Sequence, residues 1–262
     1  MYTAPAYFMA CIVMFTIAMI LTFFQGRERI STVKEQKKPS KRRTAIDEFA
    51  NGTPTWLFGL TVYDACILGC MLLNVSSKGC IAAFETMGIS YAESHFQMVS
   101  SRAGTIVASS GLIGVFALLA MGHLSKYFSD VQLIYGGMGI MAFGIVSLAG
   151  FNETVEDGID DKHNPTWRYV FAIFLIYAVG YPIGHTAVIG LFSKIVGRRP
   201  QGMLLGWFAS AGSLARIMFP VFSGYIARYS SMSALFLLLT SVLTVSVIFV
   251  VSTRKTLSLL SS

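Results

Sequence analysis

Seven apolar runs of membrane-spanning length recur along the 262-residue chain, and a chain of this pattern has few folds open to it. They cover residues 6–24, 56–87, 105–124, 133–149, 169–192, 202–226 and 234–251. In hydrocarbon every backbone N–H and C=O must find a partner within the chain, so each run reads as a helix and the fold class as an all-α polytopic membrane protein. Composition agrees, because 54% hydrophobic and only 13% charged residues leave no stretch for a soluble domain. The longest connection, 25–55, is polar and lysine-rich and reads as a basic cytoplasmic linker. Residues 1–24 then form a first span, 56–252 a six-span unit and 253–262 a cytoplasmic tail.

Positive charge near span ends marks the cytoplasmic side. Arg27, Arg29, Lys34, Lys37, Lys38, Lys41, Arg42 and Arg43 follow the first span and Lys126 the third. Lys194, Arg198 and Arg199 follow the fifth, and Arg254 and Lys255 the seventh. All lie on one side if the spans alternate, whereas the opposite loop at 152–161 is acidic. The N-terminus is therefore expected in a lumen or outside the cell and the C-terminus in the cytosol. The first span is too long for a signal-peptide core and has no basic segment before it, so it is expected to remain in the protein. The net charge of +7 comes mostly from 27–43, which the topology rule already explains; it points to no nucleic-acid partner. A weak attraction to anionic lipid, about 1 kcal/mol per charge, is the further consequence.

Chemistry inside the spans is concentrated at a few polar residues. Arg216 lies about 21 Å along its helix from Gly202 and about 18 Å from the far end, too deep for its head group to reach either interface easily. A mid-membrane arginine costs roughly 2.5–3.5 kcal/mol, so it either serves a polar pathway or is a structural charge satisfied by neighbouring carbonyls. Gly202, Ala209, Ser213, Arg216 and Pro220 share one small, polar helical face. Lys78 and Glu85, seven residues apart, also share a face and could line a wet path; if the span were 56–75, Lys78 would instead sit at the interface. Gly180, Pro182 and Gly184 interrupt an apolar run just before His185, either as a broken helix that frees backbone groups for a solute or as a proline kink. Lys194, Arg198 and Arg199 form a short basic turn, a cytoplasmic gate loop or an orientation signal.

Enzyme chemistry is not expected. His95, His123, His163 and His185 lack metal-ligand spacing, and there is no nucleophile elbow, phosphate loop or dinucleotide fingerprint, so neither a metal nor a cofactor is called for. Cys11, Cys66, Cys70 and Cys80 all fall within spans and read as packing residues.

The segments GYPIGH, SKIVGRRPQG and GWFASAGSLARIMFP closely resemble the last third of the lysosomal major facilitator proteins linked to neuronal ceroid lipofuscinosis. TAPAYF at 3–8 and AAFET at 82–86 are similar to that family's sixth and seventh spans. The resemblance implies spans six to twelve of a twelve-span transporter in an endolysosomal membrane, with solute or chloride passage. Arg216 and Glu85 fall on family motif positions. MGISYAESHF after AAFET departs from the family pattern, as does Lys78 within a normally apolar span. Because such transporters place the site between two six-helix halves, a homodimer or a complex with another transporter half is expected. The competing reading is a non-transporting half that regulates or dimerises with a full-length relative.

Topology is directly testable, because Asn152 lies in a glycosylation sequon on the expected lumenal side and Asn51 in one on the cytosolic side. Glycosidase should lower the apparent mass of the wild type but not of Asn152→Gln. Glycan on Asn51 would reverse the orientation.

Overall fold

The computed structural model describes residues 4–23, 62–149, 166–197 and 201–261. Two units make up the chain, Met1–Arg43 and Thr44–Ser262. The first is described through α1, Ala4–Phe23, an apolar 20-residue helix. Thr16 and Thr22 donate their hydroxyls back to the Ile12 and Ala18 carbonyls, so these two side chains are satisfied within the helix.

Among its described residues the second unit holds six helices long and apolar enough to cross a membrane. They are α2 (Val62–Phe96), α3 (Ser100–Tyr127), α4 (Asp130–Ala149), α5 (Thr166–Val196), α6 (Gln201–Tyr229) and α7 (Met232–Ser261). Local sequence sets their ends. Ser129 and Gln132 form a reciprocal cap at the start of α4, each side chain accepting the other's backbone N–H at 3.3 and 2.9 Å. Ser231 accepts the N–H of Ala234 at 3.1 Å at the start of α7. Gly197, with φ of 59°, ends α5 in a conformation few other residues accept.

Three helices depart from the sequence reading. The second span does not stop at Met87 but continues to Phe96, because Tyr91 and Ala92 are buried and the Tyr91 hydroxyl donates to Leu148 of α4 at 3.0 Å. This fixes the register of α2 and places Lys78 near its middle rather than at an interface. The expected tail from 253 is a continuation of α7, held by the buried Leu257. The interruption expected at Gly180–His185 is not an unwound break. Helical structure runs from Thr166 to Val196, and the seven residues Phe174–Gly180 take a π-helical pitch, with Tyr181 N–H bonding back to the Ile176 carbonyl. In a regular α-helix the Pro182 ring would clash with the carbonyl four residues earlier, that of Ala178, and this residue lies within the π-helical stretch.

The glycines of this region serve helix crossing. A Cβ on Gly137 of α4 would lie 2.4 Å from the Gly184 backbone nitrogen and 2.9 Å from the Gly180 carbonyl oxygen. One on Gly114 of α3 would lie 2.6 Å from the Tyr177 carbonyl oxygen. Backbones therefore approach closely at both points, as small residues permit in membranes. α2 packs against α3, α5, α6 and α7, with 72% of an 18-residue apolar stretch of it buried, against only 11% and 17% of the corresponding stretches of α3 and α6.

Adjacent glycines in α4 separate packing from helix propensity. Gly137→Ala should lower the thermal midpoint of the solubilised protein, since overpacking a tight contact costs about 1–3 kcal/mol. Gly136→Ala, where a Cβ meets no atom within 4 Å, should leave it unchanged or raise it. Equal effects would contradict the crossing.

Candidate functional site

The site is a polar seam where α2, α5 and α6 meet. Asn74 of α2 is fully buried and donates its Nδ2 to the Phe208 carbonyl of α6 at 2.7 Å, joining the two helices. One turn on, the Lys78 side chain runs over Gly212 of α6, where a Cβ would stand 2.7 Å from Lys78 Cδ and 3.0 Å from its Nζ. A larger residue at 212 would thus displace the lysine. Two turns beyond Lys78, Glu85 meets Arg216 with Oε2 and Nη2 3.5 Å apart. From α5, His185 Nδ1 lies 3.3 Å from Ser77 Oγ, and its ring stacks on Tyr181 at 5.2 Å and 5° between planes.

Of the residues singled out in the sequence, Lys78, Glu85, His185 and Arg216 thus converge on one seam. The seam holds two basic side chains and one carboxylate, and the carboxylate faces Arg216. Among the described residues no acidic side chain pairs with Lys78. Ser213 is exposed one turn before Arg216 on the same side of α6. Gly180, Pro182 and Gly184 are buried at helix crossings and do not face the seam as released backbone. Lys194 pairs with Asp130 at the start of α4, so it ties two helices of the same unit. Arg198, Arg199 and Asn152 lie outside the described residues, as does the 25–55 linker. Cys66, Cys70 and Cys80 are buried in the core, and no group of three or more potential metal ligands occurs among the described residues.

The sequence reading missed Asn74, Ser77 and Tyr177. Asn74 stands one turn before Lys78, and Tyr177 one turn before Tyr181 and two before His185. That spacing of about four residues was the available signal.

α6 itself has three faces. Phe208, Gly212, Ala215 and Ser223 are buried against the bundle. Met203, Trp207, Leu214, Met218 and Val221 form a bulky apolar face suited to lipid. Gly202, Gly206, Ala209, Ser213 and Arg216 form the third face, which is small or polar and exposed.

Membrane-length helices around a seam of polar and charged side chains define a multi-pass integral membrane protein. The chain belongs to the Major Facilitator Superfamily, a family of transporters rather than enzymes: the family model of that description matches residues 2–220 and 86–259. It is 24% identical over 269 residues to major facilitator superfamily domain-containing protein 8 of Xenopus laevis. That match covers 86% of this chain and 52% of the relative, so the chain spans about half the length of the curated protein it resembles. No solved structure matches it.

Exposure of the ion pair decides what its loss should do to the fold. Arg216 and Glu85 are 51% and 43% exposed, and where that exposed side faces water a pair of this kind contributes at most about 1 kcal/mol. Arg216→Leu and Glu85→Gln should each leave the thermal midpoint within a few degrees of wild type. Loss of folding in Arg216→Leu would make the arginine part of the scaffold.

Proposed function

We propose that this chain supplies the C-terminal half of a major facilitator transporter and moves a small anion, chloride among the candidates, across an endolysosomal membrane. The observation that carries this reading is Lys78, a mid-helix cation beside Arg216 with no carboxylate of its own among the described residues. Glu85 offsets one charge of the seam, and a monovalent anion would offset the other. Arg216 presents a fixed fork of donors, whereas Lys78 supplies a point charge on a flexible stem. Ser77 precedes Lys78 in the chain, with its hydroxyl beside the Asn74 carbonyl and His185, and Ser213 stands exposed one turn before Arg216.

The open faces of α3 and α6 support completion by a second half. A Cβ at Gly104, Gly111, Gly122, Gly202 or Gly206 would meet nothing within 4 Å, so these faces are smooth and unfilled. A second copy or another transporter half resting there would form the opposite wall, and rocking between the halves would alternate access. The endolysosomal location rests on the family resemblance of GYPIGH and the segments around Arg216.

Vesicles from cells expressing the chain provide the test, with chloride flux as the readout. Arg216→Leu and Arg216→Lys should reach the membrane in normal amounts. Each should lose flux by at least about tenfold, the cost of one charge-assisted hydrogen bond at roughly 1.4 kcal/mol per decade. Undiminished flux in Arg216→Leu would overturn the pathway, and a tagged chain confined to the plasma membrane would overturn the endolysosomal location.

A further inference from the structure

A cavity of about 240 Å³ opens between α2, α3 and α5, on the side of Glu85 toward the C-terminal end of α2. Phe84, Tyr169 and Tyr177 supply aromatic walls, Ile173 and Val107 aliphatic ones, and Glu85 is the one charged lining residue. Arg216 and Lys78 do not line it. Tyr177 is nine-tenths buried, yet its hydroxyl has no hydrogen-bond partner among the described residues. Tyr169, by contrast, spends its hydroxyl on the Gly88 carbonyl at 3.3 Å. A buried hydroxyl left unmet is costly, so a partner for Tyr177 is expected to come from something bound in the cavity.

The chemistry of the walls selects that ligand. A carboxylate repels anions, and the faces of Phe and Tyr rings carry negative potential that attracts cations. We propose that this cavity binds a small organic cation, an ammonium of about the size of choline. Glu85 is its counter-charge, Phe84, Tyr169 and Tyr177 are its aromatic walls, and the Tyr177 hydroxyl bonds a polar group of the ligand. Size agrees, since an apolar cavity of about 150 Å³ accommodates benzene and this one is somewhat larger. The inference depends on the anion pathway only through Glu85, which the two sites share from opposite sides.

The purified full chain in detergent, titrated with choline and with 3,3-dimethylbutan-1-ol, its uncharged isostere, tests the assignment through intrinsic fluorescence. Choline should bind at least about tenfold more tightly than the alcohol, the discrimination expected of a desolvated cation–π site. Glu85→Gln, which removes the counter-charge but keeps the aromatic walls, should weaken choline at least severalfold and narrow that preference, and Tyr177→Phe should weaken choline severalfold while keeping it. Equal binding of the two ligands, or no choline binding by the folded wild type, would overturn the proposal, as would undiminished choline affinity in Glu85→Gln. The wild-type comparison decides even if a variant fails to fold. Chloride flux measured on the same protein separates the two readings: choline binding without flux counts against the anion pathway alone, and flux without choline binding counts against the cavity alone.

Discussion

The rest of the molecule is arranged around one constraint: the charges of α2 cannot be hydrated by lipid. Lys78 and Glu85 lie near the middle of a 35-residue helix, and most of that helix is buried against its neighbours. Its apolar flanks meet α4, α5 and α7 through Leu73, Ile81, Phe84 and Tyr91, all nearly or fully buried. Its charged flank must then meet α6, the neighbour whose facing surface is thin enough to receive a lysine. Gly212 makes that possible, because any side chain there would collide with Asn74 and Lys78. The Asn74 to Phe208 hydrogen bond holds the two helices in the register that brings Glu85 to Arg216.

The third wall of the seam depends on a different device. α5 carries Tyr177, Tyr181 and His185 at intervals of four, and they reach α2 only if α5 comes close to both α3 and α4. Gly114, Gly137, Gly180 and Gly184 remove the Cβ atoms that would hold those backbones apart. The π-helical stretch before Pro182 adds a residue to one turn, which changes the direction of everything N-terminal to it relative to His185. Tyr177 and Tyr169 thereby line the cavity beside Glu85, while His185 stays against Ser77.

Much of the fold was legible, because bilayer length and apolar runs are strong signals and the membrane permits little besides helices. The convergence of Arg216 with Glu85 was also foreseeable, since a cation in mid-span needs a counter-charge and few carboxylates lie within the spans. The end of α2 was not legible, because Gly88–His95 contains polar residues and only the tertiary partner of Tyr91, the Leu148 carbonyl, shows why the helix continues. The π pitch of α5 escaped for a related reason. Proline and glycine announce a disturbance in a helix but do not say whether it unwinds, bends or widens, and that choice is made by neighbours such as Gly137. Asn74 was overlooked as one polar residue in an apolar run, yet it joins the helices whose register the ion pair requires.

The three faces of α6 relate the seam to the rest of the membrane. One face is used inside the bundle, and a second is broad and apolar enough for acyl chains. The third, from Gly202 through Ser213 to Arg216, suits neither purpose. It is too small and polar to gain from lipid, and the bundle leaves it uncovered. α3 offers Gly104 and Gly111 in the same uncovered state on another helix. A helix is seldom left with such a surface in hydrocarbon, because small residues gain their packing energy only against another helix and a guanidinium gains its hydrogen bonds only from polar groups. If a second half completes the protein as proposed, the exposed side of Arg216 faces a water-filled or protein-lined space, and the ion pair with Glu85 is one wall of a cavity rather than a closed contact within the core.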